Sequence, residues 1–428
     1  MNRRSLQGWC LGVLLLVAGQ GSAVLEVTVT EGITGAIPVA VAPFVWEGAG
    51  SPPEDVAQIV GANLARTGRF DALARERLPR APDTPEGFLA ESWSSAGAEY
   101  LVIGRMRPQE GRVVIDFHVF DVLANQRMGG FRIPAPADQL RRGAHRVSDI
   151  VFETITGDRG AFSARIAYVA VTGQGDDRRH ALEVADSDGA NPRAMFRSNQ
   201  PLMSPEWSPD GRDLVYVSFE NRRSEIFRQN VETGARTRLA SFPGINSAPT
   251  WSPDGTRLAM SLSRDGSPNI YVMDLATGAL TQITRTNAID TEPAWSPDGQ
   301  TLYFTSDRSG SAQIYQMRLP GGTPQRLTYE GTSAGAATVS PDGKSLVYVR
   351  GGDGLRLARL DLETRRETLL TRGRFDKSPS FAPNGSMVIY STTDRGRGIL
   401  GSVSRDGRVH QRFAPRTGDV REPAWSPL

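Results

Sequence analysis

The chain has 428 residues, 39% of them hydrophobic and 22% charged, with 45 Gly and 28 Pro. That composition excludes wholesale disorder, and at about 150 residues per domain the length predicts two or three domains. Lys and Arg number 49 against 47 Asp and Glu, and the two signs balance once Arg3 and Arg4 leave with the leader described next. A balanced chain lacks the electrostatic footprint of a general nucleic-acid or anionic-membrane binder.

Arg3 and Arg4, the apolar run from Cys10 to Ala18, and small residues at Gly21 and Ala23 read as a secretory signal peptide spanning 1–23. The run is too short for a spanning helix. A lipoprotein signal is disfavoured because Trp9 precedes Cys10 and the cysteine opens the run. A twin-arginine route stays open beside the general one. The mature chain is expected to be soluble outside the cytoplasm. Cys10 is the only cysteine, so no disulfide, thiol nucleophile or Cys-ligated metal is open to the mature protein. His118, His145, His180 and His410 lack ligand spacing and read as surface or packing residues.

Residues 24–30 alternate, with Leu25, Val27 and Val29 on one side and Glu26, Thr28 and Thr30 on the other. Such a segment can pair at a sheet edge, within its own domain or on a partner. A buried strand follows at 37–44. Pro53-Glu54-Asp55 opens a helix through about Thr67, and a second helix follows Thr84-Pro85-Glu86. Strands at 100–107, 112–121 and 126–133 and a helix at 137–156 complete a small α+β domain, 24–156, of β-α-β-α-β-β-β-α order. Residues 157–160 read as its linker to a second domain, 161–428.

That second domain is built from a repeat. Trp207-Ser208-Pro209-Asp210-Gly211 recurs at 251–255 and 295–299, then as Val339-Ser340-Pro341-Asp342-Gly343, Phe381-Ala382-Pro383-Asn384-Gly385 and Trp425-Ser426-Pro427. Successive steps are 44, 44, 44, 42 and 44 residues, a register that chance does not keep. In Ser-Pro-Asp-Gly the proline fixes φ for the first turn position and glycine relieves the exit. Each turn joins a strand ending in Trp to an alternating strand such as 302–306. A third strand (314–317) and a fourth (325–328) close the unit. Four strands per 44 residues is the signature of a β-propeller blade. The last copy has no room for its other three strands, and three unclaimed strands lie at 166–171, 181–185 and 193–196. The fold class is therefore an α+β N-terminal domain followed by an all-β six-bladed β-propeller, closed by the C-terminal strand, which removes an open edge.

Two catalytic motifs are discounted. Gly331-Thr332-Ser333-Ala334-Gly335 spells G-x-S-x-G, but in a loop entering a strand, with no helix to follow. Gly396-Arg397-Gly398-Ile399-Leu400-Gly401 spells G-x-G-x-x-G between antiparallel strands, where no helix N-terminus can hold a pyrophosphate. Asp186-Ser187-Asp188-Gly189 resembles part of a calcium loop without its distal Glu, and reads as a hairpin turn.

An exported α+β domain followed by six such blades resembles the TolB family, the periplasmic propellers of the Tol–Pal envelope system, and the likeness covers the whole mature chain. Beyond the repeats, Pro201-Leu202-Met203-Ser204-Pro205, Tyr216-Val217-Ser218-Phe219-Glu220, 269–275, Thr291-Glu292-Pro293, Met387-Val388-Ile389-Tyr390-Ser391 and Pro423-Ala424-Trp425 fit it. The resemblance implies a non-enzymatic, monomeric adaptor without cofactor or metal. It implies binding of the lipoprotein Pal through one mouth of the propeller, by Met203, Ile245, Ala248, Thr291 and Glu292. It also implies binding of TolA by an N-terminal segment, here Glu26, Val27, Thr28, Val29, Thr30, Glu31, Gly32 and Ile33. Ile245 departs from the family, since some relatives carry histidine there. The implied role is maintenance of outer-membrane integrity and aid to constriction at division. The alternative is a propeller with peptidase- or polysaccharide-lyase-related activity. The first needs a separate hydrolase domain, and the second usually has histidines or a metal in the funnel.

Overall fold

The computed structural model describes residues 25–31, 35–82 and 84–428. The predicted signal peptide, and Gly32 and Ile33 of the N-terminal segment, lie outside them.

In the N-terminal domain, Phe70–Ala72, Ile37–Val41 and Tyr100–Gln109 run parallel, and Arg112–Asp121 and Gln126–Pro136 continue the sheet antiparallel. Helix α1 (Val56–Arg66) starts where the Asp55 carboxylate accepts the Gln58 N–H at 3.0 Å. The second helix is shorter than expected. Thr84-Pro85-Glu86 leads into a single 3₁₀ turn, Pro85–Gly87, and α2 forms only at Ala90–Ser95. Between them Phe88 leaves the helical path to stack on Phe120, with ring centroids 4.3 Å apart. Helix α3 (Leu140–Thr156) ends at Gly157, whose φ of 74° suits glycine. α1 and α3 bury one face of the sheet, and Trp93 of α2 packs on the other.

Six four-stranded antiparallel sheets follow, and their innermost strands neighbour one another around a channel of about 440 Å³. These inner strands are Asp419–Trp425 (blade 1), Leu202–Trp207 (blade 2), Asn246–Trp251 (blade 3), Asp290–Trp295 (blade 4), Ser333–Val339 (blade 5) and Lys377–Phe381 (blade 6). Blade 1 is completed from the other end of the domain by Arg165–Thr172, Arg179–Asp186 and Arg193–Ser198. Closure by the C-terminal strand is thus present, with Asp419 opposite Val171 and Trp425 opposite Ile166.

The repeat acts through hydrogen bonds. In each Ser-Pro-Asp-Gly turn the serine hydroxyl donates to the aspartate, at 2.6 Å for Ser208–Asp210 and 2.5 Å for Ser252–Asp254 and Ser296–Asp298. The glycine N–H returns to the serine carbonyl, with φ near 70° at Gly211 and Gly255. The tryptophans join blades. Trp207 Nε1 donates to Ala424 O at 3.1 Å and Trp295 Nε1 to Thr250 O at 3.3 Å. An arginine from the preceding blade covers each ring: Arg165 over Trp207, Arg228 over Trp251, Arg257 over Trp295.

Every inner strand carries a β-bulge at the same register, centred on a non-glycine residue with φ near +50°: Ser204, Ala248, Glu292, Ala336, Ser378 and Glu422. In five of the six blades proline follows, at Pro205, Pro249, Pro293, Pro379 and Pro423. A bulge leaves a backbone donor without a ladder partner, and proline removes that donor. Two bulge residues are glutamates that reach the next blade. Ser204 N–H donates to Glu422 Oε2 at 2.5 Å and Ala336 N–H to Glu292 Oε2 at 2.7 Å. Glu206 makes a related link, accepting from Thr250 Oγ1 at 2.8 Å and Trp251 N at 3.1 Å.

The N-terminal domain docks on blades 1 and 6. Asn384 Nδ2 donates to Arg159 O at 2.7 Å, Gln411 Nε2 to Arg66 O at 2.5 Å, and Arg141 of α3 pairs with Asp188 at 2.5 Å. Beneath that pair lies His145, whose Nδ1 is 2.9 Å from Asn63 Nδ2.

Deletion of residues 421–428 removes the inner strand of blade 1 and the acceptor for Trp207. The expected result is a fall in the thermal midpoint of about 10 °C or more, read by calorimetry; an unchanged midpoint would show that the ring closes without its tail. A second expectation concerns pH. Burial against blade 3 raises the Glu206 carboxyl to about 7, so the folded chain holds a proton there that the unfolded chain has released, and stability falls as pH climbs from about 4.5 to 7. Burial instead lowers His145 and His180 to about 4. Their unfolded forms take up protons first, so stability falls as pH drops from about 6.5 to 4. Glu206→Gln keeps both acceptor contacts without the charge. Melts across pH should show this variant gaining on the parent above pH 7 and matching it near pH 4.

Candidate partner-binding surfaces

The N-terminal domain lies against turns that follow inner strands or join third to fourth strands, around Asn384, Asp188 and Val409. In an antiparallel blade these turns share one end. The loops that pass from one blade to the next lie at the other end, on a face the N-terminal domain leaves uncovered.

Three of those loops repeat one device. A polar residue buried at the start of the inner strand ties the loop down, and the residue before it is apolar and exposed. Asn246 is fully buried, accepting Phe242 N–H at 2.9 Å and donating to Phe242 O at 2.8 Å, and Ile245 before it is 50% exposed. Asp290 is fully buried, both its oxygens accepting from Arg308 Nη2 at 2.9 Å, and Ile289 is 49% exposed. Asp376 is buried and accepts from Thr392 Oγ1 at 2.6 Å, and Phe375 is 58% exposed. With Met203 and Tyr329, also exposed, these side chains form an apolar rim on rigid loops.

Of the residues expected to face Pal, Met203 and Ile245 stand on this rim and Thr291 is half-buried beside it. Ala248 and Glu292 line the channel. Glu292 has work inside the ring, because its Oε2 accepts from both Thr305 Oγ1 and Ala336 N, each at 2.7 Å. Ile289, Phe375 and Tyr329 were not anticipated. The signal was legible, since the pairs Ile245-Asn246, Ile289-Asp290 and Phe375-Asp376 recur at 44 and then 86 residues in register with the turns.

The N-terminal segment corrects its sequence reading. Strand β1 (Leu25–Glu31) lies outside its own domain's sheet; it adds a fifth strand to blade 6, antiparallel to His410–Pro415. Leu25 is buried with Tyr168, Phe413 and Val420 between blades 6 and 1. Beyond that anchor the backbone ladder to His410–Pro415 carries the hold, with a few side-chain contacts added. Glu26 pairs with Arg416 at 3.2 Å, Thr30 Oγ1 donates to His410 O at 3.2 Å, and Thr28, Val29 and Thr30 are exposed. Val27 packs partly on the Leu25 cluster.

The structure also gathers His145, Asp186 and Asp188 within 4.8 Å of one another, a cluster invisible to spacing because α3 and blade 1 are far apart in the chain. Asp186-Ser187-Asp188-Gly189 is the expected hairpin turn, with Gly189 N–H on Asp186 O at 2.8 Å. The donor set does not suit a metal. His145 Nδ1 accepts the Asn63 amide N–H, which leaves the proton on Nε2, and the Arg141 guanidinium already occupies Asp188. Ser333 opens the inner strand of blade 5, as expected of a loop-to-strand junction and unlike a nucleophile elbow.

Residues 25–128 match the family model described as the TolB amino-terminal domain, and 152–428 match the TolB beta propeller domain. The Tol-Pal system protein TolB of Thioalkalivibrio sulfidiphilus is 63% identical over 410 residues, covering 95% of this chain and 94% of that one. The namesake of Methylococcus capsulatus is 57% identical and covers both chains fully. The crystal structure of TolB from Acinetobacter baumannii, 36% identical, superposes with a TM-score of 0.87 over 94% of this chain and 100% of the other. With both domains matched and this much identity across nearly the full length, the chain belongs to the TolB family of Tol–Pal system proteins.

Proposed function

We propose that the protein is a periplasmic, non-enzymatic adaptor that binds Pal on the inter-blade face and TolA through its N-terminal segment. In this way it supports outer-membrane integrity and envelope constriction. The observation that carries the reading is the apolar rim on the face the N-terminal domain leaves open. Side chains of that size, fixed by buried Asn and Asp anchors, are the kind that dominate protein–protein binding energy. Support for a periplasmic setting comes from the signal-like leader and from the relatives' names. No helix among the described residues is long and apolar enough to cross a membrane. A catalytic reading has no comparable support, because the one nucleophile-like motif opens a strand.

In this reading β1 serves as a releasable strand. Docked, it covers the outer edge of blade 6; released, it presents an extended segment with alternating side chains to a second partner. Pal and TolA are then coupled if Pal favours one of those two states.

Two measurements test the proposal. Ile245→Asp combined with Phe375→Asp should weaken Pal binding by at least about tenfold without lowering the thermal midpoint, and undiminished affinity by calorimetry would remove the rim from the interface. TolA affinity should differ with and without saturating Pal; equal values would mean that the two sites act independently.

A further inference from the structure

A second feature of the inter-blade face has a different chemistry. Between blades 1 and 2 lies a groove of about 950 Å³, whose walls include Arg179, His180, Phe196, Arg197, Asn199 and Arg222. Arg178, Arg197 and Arg222 are exposed, and none has an ion-pair partner among the described residues. Arg179 is held in place by main-chain acceptors, Asp176 O at 3.2 Å and Arg178 O at 3.1 Å. Arg421 reaches in from the closing strand, its Nη2 donating to His180 Nδ1 at 3.2 Å, and its buried Nε finds no partner.

The two carboxylates on the groove wall are committed elsewhere. Glu220 is clamped by Arg236 at 3.0 and 2.8 Å, and that arginine is itself packed over Phe196 and Phe227. Glu183 is buried beside Tyr168. Only Asp176 and Asp177, on the loop at one lip, offset the arginines. In a chain whose charges otherwise balance, the groove concentrates guanidinium groups, of which Arg236 alone is met by a carboxylate on its wall. The outer strand Arg193–Ser198 ends its sheet; Met195 O already accepts Gln229 Nε2 at 2.9 Å, and the strand's last residues, Phe196 to Ser198, line the groove.

We propose that this groove binds an acidic peptide segment in extended form. The arginine forks would take its carboxylates pairwise, and the outer edge at Phe196 to Ser198 would take its backbone as a short added strand. The free strand edge favours a peptide over an anionic glycan or lipid surface, which offers guanidinium groups a partner but has no backbone ladder to complete. The proposal depends on the groove alone and stands whether or not the apolar rim binds Pal.

The test uses the full mature protein and a fluorescein-labelled peptide alternating glutamate with threonine, followed by anisotropy. The glutamate peptide should bind and weaken with added salt, and the matching glutamine–threonine peptide should not bind. Arg197→Glu with Arg222→Glu should cost at least about tenfold in affinity, and the milder Arg197→Gln with Arg222→Gln should move affinity in the same direction. Arg212→Glu with Arg318→Glu, at the opposite ends of their strands, should leave it unchanged. The proposal is overturned by any of four results: no binding of the glutamate peptide at millimolar concentration, equal binding of the glutamine peptide, equal loss in the control pair, or binding of a sulfated oligosaccharide or anionic vesicles in place of the peptide.

Discussion

A four-stranded antiparallel sheet with two apolar faces cannot stand alone in water, and each blade of this propeller is covered only by its neighbours. Five of the six inter-blade contacts are made between units adjacent in the chain. The sixth is not, and it depends on Asp419–Trp425 pairing with Arg165–Thr172 across the whole length of the domain. Every other feature of the ring assumes that pairing. It supplies the acceptor for Trp207, seats the Glu422 carboxylate against Ser204 and brings Arg421 to His180.

The bulge on each inner strand shows how a closed ring becomes a platform. A left-handed residue in a strand costs about 1–2 kcal/mol, and here it recurs six times. The surrounding contacts offset that cost: proline removes the orphan donor in five blades, and Glu422 and Glu292 use the kink to reach the next blade's N–H. Inner strands held this way fix the loops leading into them. Ile245, Ile289 and Phe375 are therefore presented by anchored backbone, so that little ordering remains to be done when a partner arrives.

Much of this was legible in the sequence because the repeat is strict. Blade count, strand exchange and the turn chemistry of Ser208–Gly211 and its copies follow from spacing and residue type alone. The Pro-x-Trp signal for the bulges is present too, but a one-residue bulge is a property of pairing, and the left-handed residue is Ser, Ala or Glu, so no residue type marks it. The second helix is legible, but its late start at Ala90 is not, because Phe88 answers to Phe120, a tertiary contact that overrides a good helix start. The berth of β1 is hidden for the same kind of reason. Alternation of Leu25, Val27 and Val29 says that the segment pairs, and nothing local says with which of many edges. Register alone puts Met203 and Ile245 at the entry to their inner strands, where both are exposed. The acceptor role of Glu292 has no local signal, since its partner Ala336 lies 44 residues away.

The position of β1 bears on the order in which the molecule matures. The earliest segment of the folded protein rests on the outermost strand of the latest blade, and Leu25 closes over the seam where the ring is joined. It has no berth until almost the entire polypeptide has been made and wound up. A docked N-terminal strand is thus a certificate of completion, and an unfinished propeller would leave that segment unclaimed at its surface.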